Sequence, residues 1–248
     1  MSQNIWTQCE ANSRIRPLSF KGWRCVEDQS RSSTLNLVDS IEEHDLLESL
    51  LDVAKPKVPD DCNGLHYLLF TPFRYPPLKW GSRFGTRAQR SLFYGALEEQ
   101  TSLAETAFYQ LSFWRASEAK MKPQTKHFST FTMRVKAQIG LDLTEIHFNE
   151  YAKLISHPTN YEISQSLGEK MRDEGVEVFL FWSARCKEGR NFALFSPLAF
   201  AEKKPSNPNL WESSLSKDRA IFRNKASKES YTFPASSFLF EGSWPDII

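Results

Sequence analysis

The stretch FTMRVKAQI, residues 131–139, alternates without a break. Phe131, Met133, Val135, Ala137 and Ile139 fall on one side, and Thr132, Arg134, Lys136 and Gln138 on the other. A period of two is the pattern of a strand with one face buried and one face wet. Downstream, the pattern predicts a second strand near LTEIHF (143–148), a helix over about 161–174, an apolar strand VEVFLFW (176–182) and another strand, NFALF (191–195). Upstream, TSLAETAFYQLSFWRA (101–116) is helical by the spacing of Leu103, Ala107, Leu111 and Trp114. SLFYGAL (91–97) has strand character, and LHYLLF (65–70) reads as a buried strand. Strands outnumber helices and do not alternate with them regularly. That predicts an α+β fold rather than a doubly wound parallel sheet.

Apolar residues recur at helical spacing from Leu35 to about Ala54, and the KPKVP that follows would stop the helix, which is expected to pack on the main body. Residues 1–20 are polar and aperiodic, an arm that is either mobile or ordered against the rest, and 21–248 read as one domain. Between the strand at 65–70 and the strand at 91–97 lies TPFRYPPLKWGSRFGTRAQR (71–90). Its prolines, glycines and arginines resist any regular assignment, and long irregular loops of this kind often carry function.

Composition narrows the field. Lys and Arg total 31 against 30 for Asp and Glu, so the chain has no general attraction for nucleic acid or an anionic membrane. No apolar run approaches the roughly 18–20 residues of a membrane span. The four cysteines, Cys9, Cys25, Cys62 and Cys186, form no CxxC pair, and no secretory leader is apparent, so a reducing cytoplasm is expected. GxGxxG, GxxxxGK[ST], HExxH and GxSxG are all missing, and His44, His66, His127, His147 and His157 show no metal-ligand spacing. No metal is expected.

What remains is a set of polar residues at the ends of elements: Arg74, Arg83 and Arg87 in the loop, Tyr94 in the next strand, Glu105 in the next helix, and Ser183 closing an apolar strand. The run GSRFGTRAQRSLFYGALEEQTSLAETAF (81–108) resembles the RES domain, with its glycine-rich step, its tyrosine-bearing strand and its helix opening on an A-x-A-E-like segment. The later run EGVEVFLFWSARCKEGRNFALF (174–195) is similar to that family's second block. There an apolar strand ends in Ser-Ala-Arg, and an asparagine, here Asn191, leads into the next strand. The likeness covers about 65–200. It departs at Ser82, where a glycine is commoner, at Gly85 and Thr86, where asparagine and proline are frequent, and at Trp182.

The resemblance implies an ADP-ribosyltransferase-like fold, an antiparallel β core flanked by helices with a cleft for NAD. It also implies cleavage of the bond between nicotinamide and ribose, by hydrolysis, by phosphorolysis with phosphate as co-substrate, or by transfer of ADP-ribose to a protein. Many such proteins are toxins restrained by a small antitoxin. On this reading Glu105 is the anion beside the reacting ribose, Arg83 with Arg74 holds phosphate oxygens, Tyr94 packs against nicotinamide or its ribose, and Ser183 and Asn191 bind substrate. NAD and NADP are not distinguished, and a non-catalytic module that binds a nucleotide or a partner is the remaining alternative. The leucine-bearing helix at 35–53 or the aromatic stretch YTFPASSFLFEGSW (231–244) would provide a partner surface or self-association.

Each residue also has a plainer reading. Ser102-Leu-Ala-Glu105 forms a capping box, so Glu105 could serve its own helix start. Arg83 and Arg87 could pair with Glu98 or Glu99 in solvent, Tyr94 could be a core tyrosine, and Ser183 could simply end its strand. Cys186 beside Arg185 and Lys187 could be a reactive thiol, though no histidine near it in sequence would serve as base. Phe108, Tyr109, Phe113 and Trp114, at helical spacing, read as core rather than as a base-stacking platform.

Overall fold

The computed structural model describes residues 5–28, 40–117 and 123–245. Among these, eight strands form one sheet: β1 (Arg16–Glu27), β2 (Phe93–Ala96), β3 (Gln124–Asp142), β4 (Val178–Trp182), β5 (Arg190–Leu194), β6 (Ser206–Leu215), β7 (Arg219–Asn224) and β8 (Ser230–Pro234). Their order is β1-β2-β5-β4-β3-β6-β7-β8, and β1 pairs with β3 as well. Thus β1, β2, β5, β4 and β3 close a circuit, and β6, β7 and β8 continue from it as a meander. Only the short β3–β4 pairing is parallel; the other strand pairs are antiparallel. The helices are α1 (Ile5–Gln8), α2 (Ile41–Ala54), α3 (Tyr67–Arg74), α4 (Glu99–Ala116), α5 (Ala152–Ile155) and α6 (Glu162–Asp173). The architecture is α+β, an antiparallel core flanked by helices.

Side-chain size explains how the circuit closes. Phe192 on β5 is fully buried, and the strands facing its ring carry glycine. A Cβ on Gly22 or on Gly95 would come within 2.4 Å of the Phe192 ring. The phenylalanine fills the space that the two glycines leave, and Phe131, Met133, Val135, Val178, Leu180 and Leu194 complete this cluster. Elsewhere, α4 lays Leu103, Ala107, Phe108 and Leu111 on Trp211, Leu215, Ala220 and Phe222 of the meander. α6 contributes Leu167 and Met171 to a third cluster with Phe179, Phe181 and Phe195.

Several expectations fail locally. The alternation of β3 breaks after Ala137, and Ile139 is 37% exposed rather than buried. The register against β1 shifts there, and the amides of both Gln138 and Ile139 donate to Glu177 Oε2, at 3.0 and 3.1 Å. This bulge turns Ile139 outward. LHYLLF is not a strand, because α3 begins at Tyr67, with His66 Nδ1 accepting from the Leu68 amide. Its buried Leu69 and Phe73 lie at i, i+4, a helical spacing that a six-residue apolar window hides. LTEIHF becomes a turn and a 3-10 helix, Ile146–Tyr151, started when Asp142 Oδ1 accepts from the Thr144 amide at 2.9 Å.

Position 20 is no boundary, because it lies inside β1, and Ile5, Trp6, Cys9 and Ala11 are buried in the cluster over β4 and β5. The expected helix at 35–54 is present as α2, with 35–39 outside the described residues. Most of its apolar side chains face away from the body: Ile41, Leu46, Leu50 and Val53 are 73%, 61%, 59% and 84% exposed, and only Leu47 is half-buried. In the aromatic stretch at 231–244, by contrast, Phe233 and Phe238 are buried, and Trp244 stacks on Phe108 at 5.3 Å.

Candidate functional site

The loop before β2 is shaped by a glycine. Gly81 adopts φ +74, and a Cβ there would stand 2.3 Å from Gly85 O. The tight return lets the Ser82 amide donate to Gly85 O at 2.7 Å. At the turn, Phe84 drops into the core, edge-on to Phe179 and Phe181 at 4.6 and 4.8 Å. Arg83 takes the other side, lining a cavity of 1170 Å³. Its Nη1 donates to His157 O at 2.5 Å, and its guanidinium lies 4.6 Å over the Tyr161 ring.

Tyr94 of β2 also lines the cavity, but its hydroxyl is engaged by the Arg83 turn. It accepts from the Phe84 amide at 3.2 Å and lies 2.9 Å from Ser82 Oγ. Since it already accepts from Phe84, the natural assignment makes it the donor to Ser82. Burial raises its pKa, so it stays protonated. Tyr94 therefore anchors the turn that presents Arg83.

Glu105 projects from α4. The helix begins at Glu99, three residues before Ser102, so Glu105 lies beyond the first turn and caps nothing. Its Oε1 accepts from Ser183 Oγ and from Asn191 Nδ2, both at 2.6 Å. Among the described residues Oε2 takes no hydrogen bond. Ser183 Oγ in turn accepts from the amides of Arg185 and Cys186 at 3.0 Å, which orients its proton toward the carboxylate. Asn191 is 6% exposed and lines the cavity, and its Oδ1 is buried with no partner. Because Nδ2 must face the carboxylate, the unpartnered atom is an acceptor.

Of the residues singled out from sequence, Arg83, Tyr94, Glu105 and Asn191 line one cavity, with Ser183 bonded to Glu105. Arg74 does not join them. It is the last residue of α3, and its Nε donates to Pro56 O at 2.5 Å, away from the cavity. Arg87 is exposed. Glu98 accepts from the Arg190 amide, and Glu99 from Asn209 and Trp211, so neither answers the loop arginines.

Two further arginines line the cavity. Arg185, 8% exposed, stacks 3.5 Å over the Phe108 ring and donates through Nη2 to Pro158 O at 2.7 Å. Arg24 of β1 stacks on Phe93 at 4.4 Å and donates to Tyr94 O at 3.3 Å, and burial lowers its pKa to about 10. Among the described residues none of Arg24, Arg83 and Arg185 forms an ion pair. Tyr109, one turn after Glu105, and Tyr161 also line the space. Arg185 was legible in Ser-Ala-Arg. Tyr109 and Phe113, expected in the core, are instead 57% and 67% exposed, and the spacing of Tyr109 from Glu105 is the signal that could have placed it at the site. Arg24 gave no signal, since its strand contains proline and glycine and was not foreseen.

Cys186 is not an activated thiol, because burial raises its pKa. Among the described residues no cluster of His, Cys, Asp and Glu could hold a metal, and no helix is long and apolar enough to cross a membrane.

The family model of the RES domain matches residues 58–215, well over half of the chain. The chain belongs to the RES domain family. The matched span of the RES domain contains Arg83, Tyr94, Glu105, Ser183, Arg185 and Asn191, while Arg24 comes from a strand that precedes it. No curated protein matches this RES domain chain. Among solved structures, the M. tuberculosis MbcT–MbcA toxin–antitoxin complex contains a similar chain. It is 12% identical, the match covers 87% of this chain and 94% of that one, and the TM-score is 0.48.

Proposed function

We propose that this RES domain protein cleaves NAD between nicotinamide and ribose, with water or phosphate as nucleophile, and acts as the toxin of a toxin–antitoxin pair. One observation carries the chemistry. Among the described residues, two acceptors have no protein donor, the buried Asn191 Oδ1 and Glu105 Oε2, and they belong to a cavity that also holds three guanidinium groups with no carboxylate at ion-pair distance. A buried acceptor asks its ligand for hydroxyl or amide donors, as on a ribose or a carboxamide. Unpaired guanidiniums ask for an anion such as a pyrophosphate. Nicotinamide dinucleotides carry both, and 1170 Å³ exceeds the roughly 300–1,000 Å³ of ordinary small-molecule sites. Membership in the RES domain family supports the toxin role.

The nicotinamide of NAD is a cationic leaving group. As its bond to C1′ breaks, the electron pair passes to the ring, which departs neutral, and positive charge builds on the ribose. A fixed carboxylate gains strength as that charge develops, so it favours the transition state over bound substrate. Ser183 and Asn191 hold the Glu105 carboxylate in place. Arg83, Arg185 and Arg24 grip the phosphates, so the ribose does not have to find its pose during reaction. Water or phosphate then forms the new bond to C1′, and a proton lost from water passes to solvent.

Purified protein incubated with NAD, with and without phosphate, tests this by nicotinamide release and by protein mass. Phosphate-independent release means hydrolysis, phosphate-dependent release means phosphorolysis, and a mass increment on a protein means transfer. NAD left intact while it stabilises the fold thermally would contradict an enzymatic role.

A further inference from the structure

Arg83 and Arg185 reach the cavity from different elements, yet both rest on one short loop. Arg83 donates to His157 O at 2.5 Å and Arg185 to Pro158 O at 2.7 Å. The same loop, 156–161 between α5 and α6, supplies Thr159, Asn160 and Tyr161 to the cavity wall. Its start is tied where Ser156 Oγ donates to Trp182 O at 2.6 Å, and its end where the Glu162 amide donates to Asn160 Oδ1 at 2.9 Å. Between those ties a single side chain holds its shape. His157 Nδ1 accepts from the amides of Thr159, at 3.2 Å, and Asn160, at 2.9 Å.

An imidazole that accepts through Nδ1 is neutral, with its proton on Nε2, and a protonated ring has no acceptor left. We propose that His157 is a pH-sensitive positioning residue. When neutral, it folds the loop on which Arg83 and Arg185 are seated, and when protonated, it releases that loop and the grip on an anionic substrate. The inference rests on the reading of the cavity as a site for a phosphate-bearing dinucleotide.

Among the described residues, Arg83 and Arg185 are the cations bonded to the loop of His157, and Tyr161 and Glu162 follow it in the chain. On the opposite side Phe240 meets the ring edge-on at 5.0 Å, with Glu241 next in sequence. Charge alone predicts the reverse pH effect, because a third cation beside two guanidiniums would tighten an anion. The two accounts differ in sign.

His157→Asn separates them, because an asparagine oxygen can cap the same two amides and does not titrate. In wild type, KM for NAD rises about tenfold as acid protonates the ring, what losing one to two net hydrogen bonds costs, while kcat changes less. In His157→Asn that rise disappears, and in His157→Ala KM is high throughout. Without any turnover, the amide protons of Thr159 and Asn160 lose exchange protection in wild type as its own ring resonance reports protonation, and keep it in His157→Asn. Thermal unfolding of each variant establishes that it is folded. Protection that survives ring protonation, or KM that falls in acid, overturns the proposal. Should the amides respond while NAD is not consumed at any pH, the latch stands and the NAD reading falls.

Discussion

Glu105 illustrates what a residue owes to its neighbours. From sequence it was equally a helix cap and an active-site carboxylate, since Ser102-Leu-Ala-Glu105 satisfies the capping pattern. The helix starts earlier, at Glu99, and this frees Glu105 to meet Ser183 and Asn191. The convergence of Arg83, Tyr94, Glu105, Ser183 and Asn191 was legible only through the resemblance that sets them in one order, since each alone has a plainer local reading. Arg74 was misplaced along with its element. Tyr94 was placed in the cavity, but the bonds of its hydroxyl to Ser82 and Phe84 depend on a turn that no local pattern specified. The same scale separates cysteines that line a site from cysteines that react. Cys25 lines the cavity, yet burial pushes its thiol up to about 12, leaving almost no thiolate near neutrality. Iodoacetamide at about pH 7 is expected to leave Cys25 unlabelled in the native protein and to label it after denaturation. Rapid native labelling, read by peptide mass, would show that the thiol is not buried as described.

Elements were readable where their period was long. α4, α6 and β3 announce themselves through enough apolar positions to fix one face, and β4 and β5 through apolar runs buried on both faces. β1, β6, β7 and β8 do not, because polar residues, prolines and a glycine interrupt them and long-range pairing decides their state. α6 shows how tightly the elements meet once placed. A Cβ on Gly168 would stand 2.2 Å from Phe84 O, the residue that pins the Arg83 turn. Neither a helix backbone nor a buried carbonyl can yield easily there. Gly168→Ala is therefore expected to cost about 1–3 kcal/mol and to weaken NAD binding through the displaced turn, although alanine normally favours a helix. A variant that unfolds at or above the wild-type temperature would show that α6 does not press on this turn.

At the scale of the molecule, the closed circuit of strands was invisible, because it joins β1 near the N-terminus to β3 and β2 across much of the chain. Nothing local in Arg16–Glu27 says which strand it will meet. Closing the circuit brings Arg24 and Cys25 into a cavity otherwise built from the RES domain segment. A smaller long-range tie is the two-pronged pair of Arg90 with Asp61, at 2.6 and 2.9 Å, which holds the Asp61 carboxyl below its ordinary range. A carboxylate depressed in the folded state contributes stability above its unfolded pKa and loses it as pH falls through the folded value. Asp61→Asn should thus lower the unfolding temperature near neutrality and converge on wild type in acid, once the pH has fallen through the depressed folded-state value. Both side chains are about one-third exposed, at 35% and 34%, so the effect should stay under about 1 kcal/mol. A difference that grows in acid would contradict the assignment.

The proposed chemistry rests on one carboxylate, Glu105, acting on one bond. The most direct measurement is nicotinamide release from NAD by the purified protein beside Glu105→Gln, which keeps the side chain's size and removes its charge. Release by the wild type, lowered about 100- to 1,000-fold in a variant that still binds NAD, is the predicted result. Equal release by the two proteins would contradict it, as would a folded wild type that leaves NAD intact.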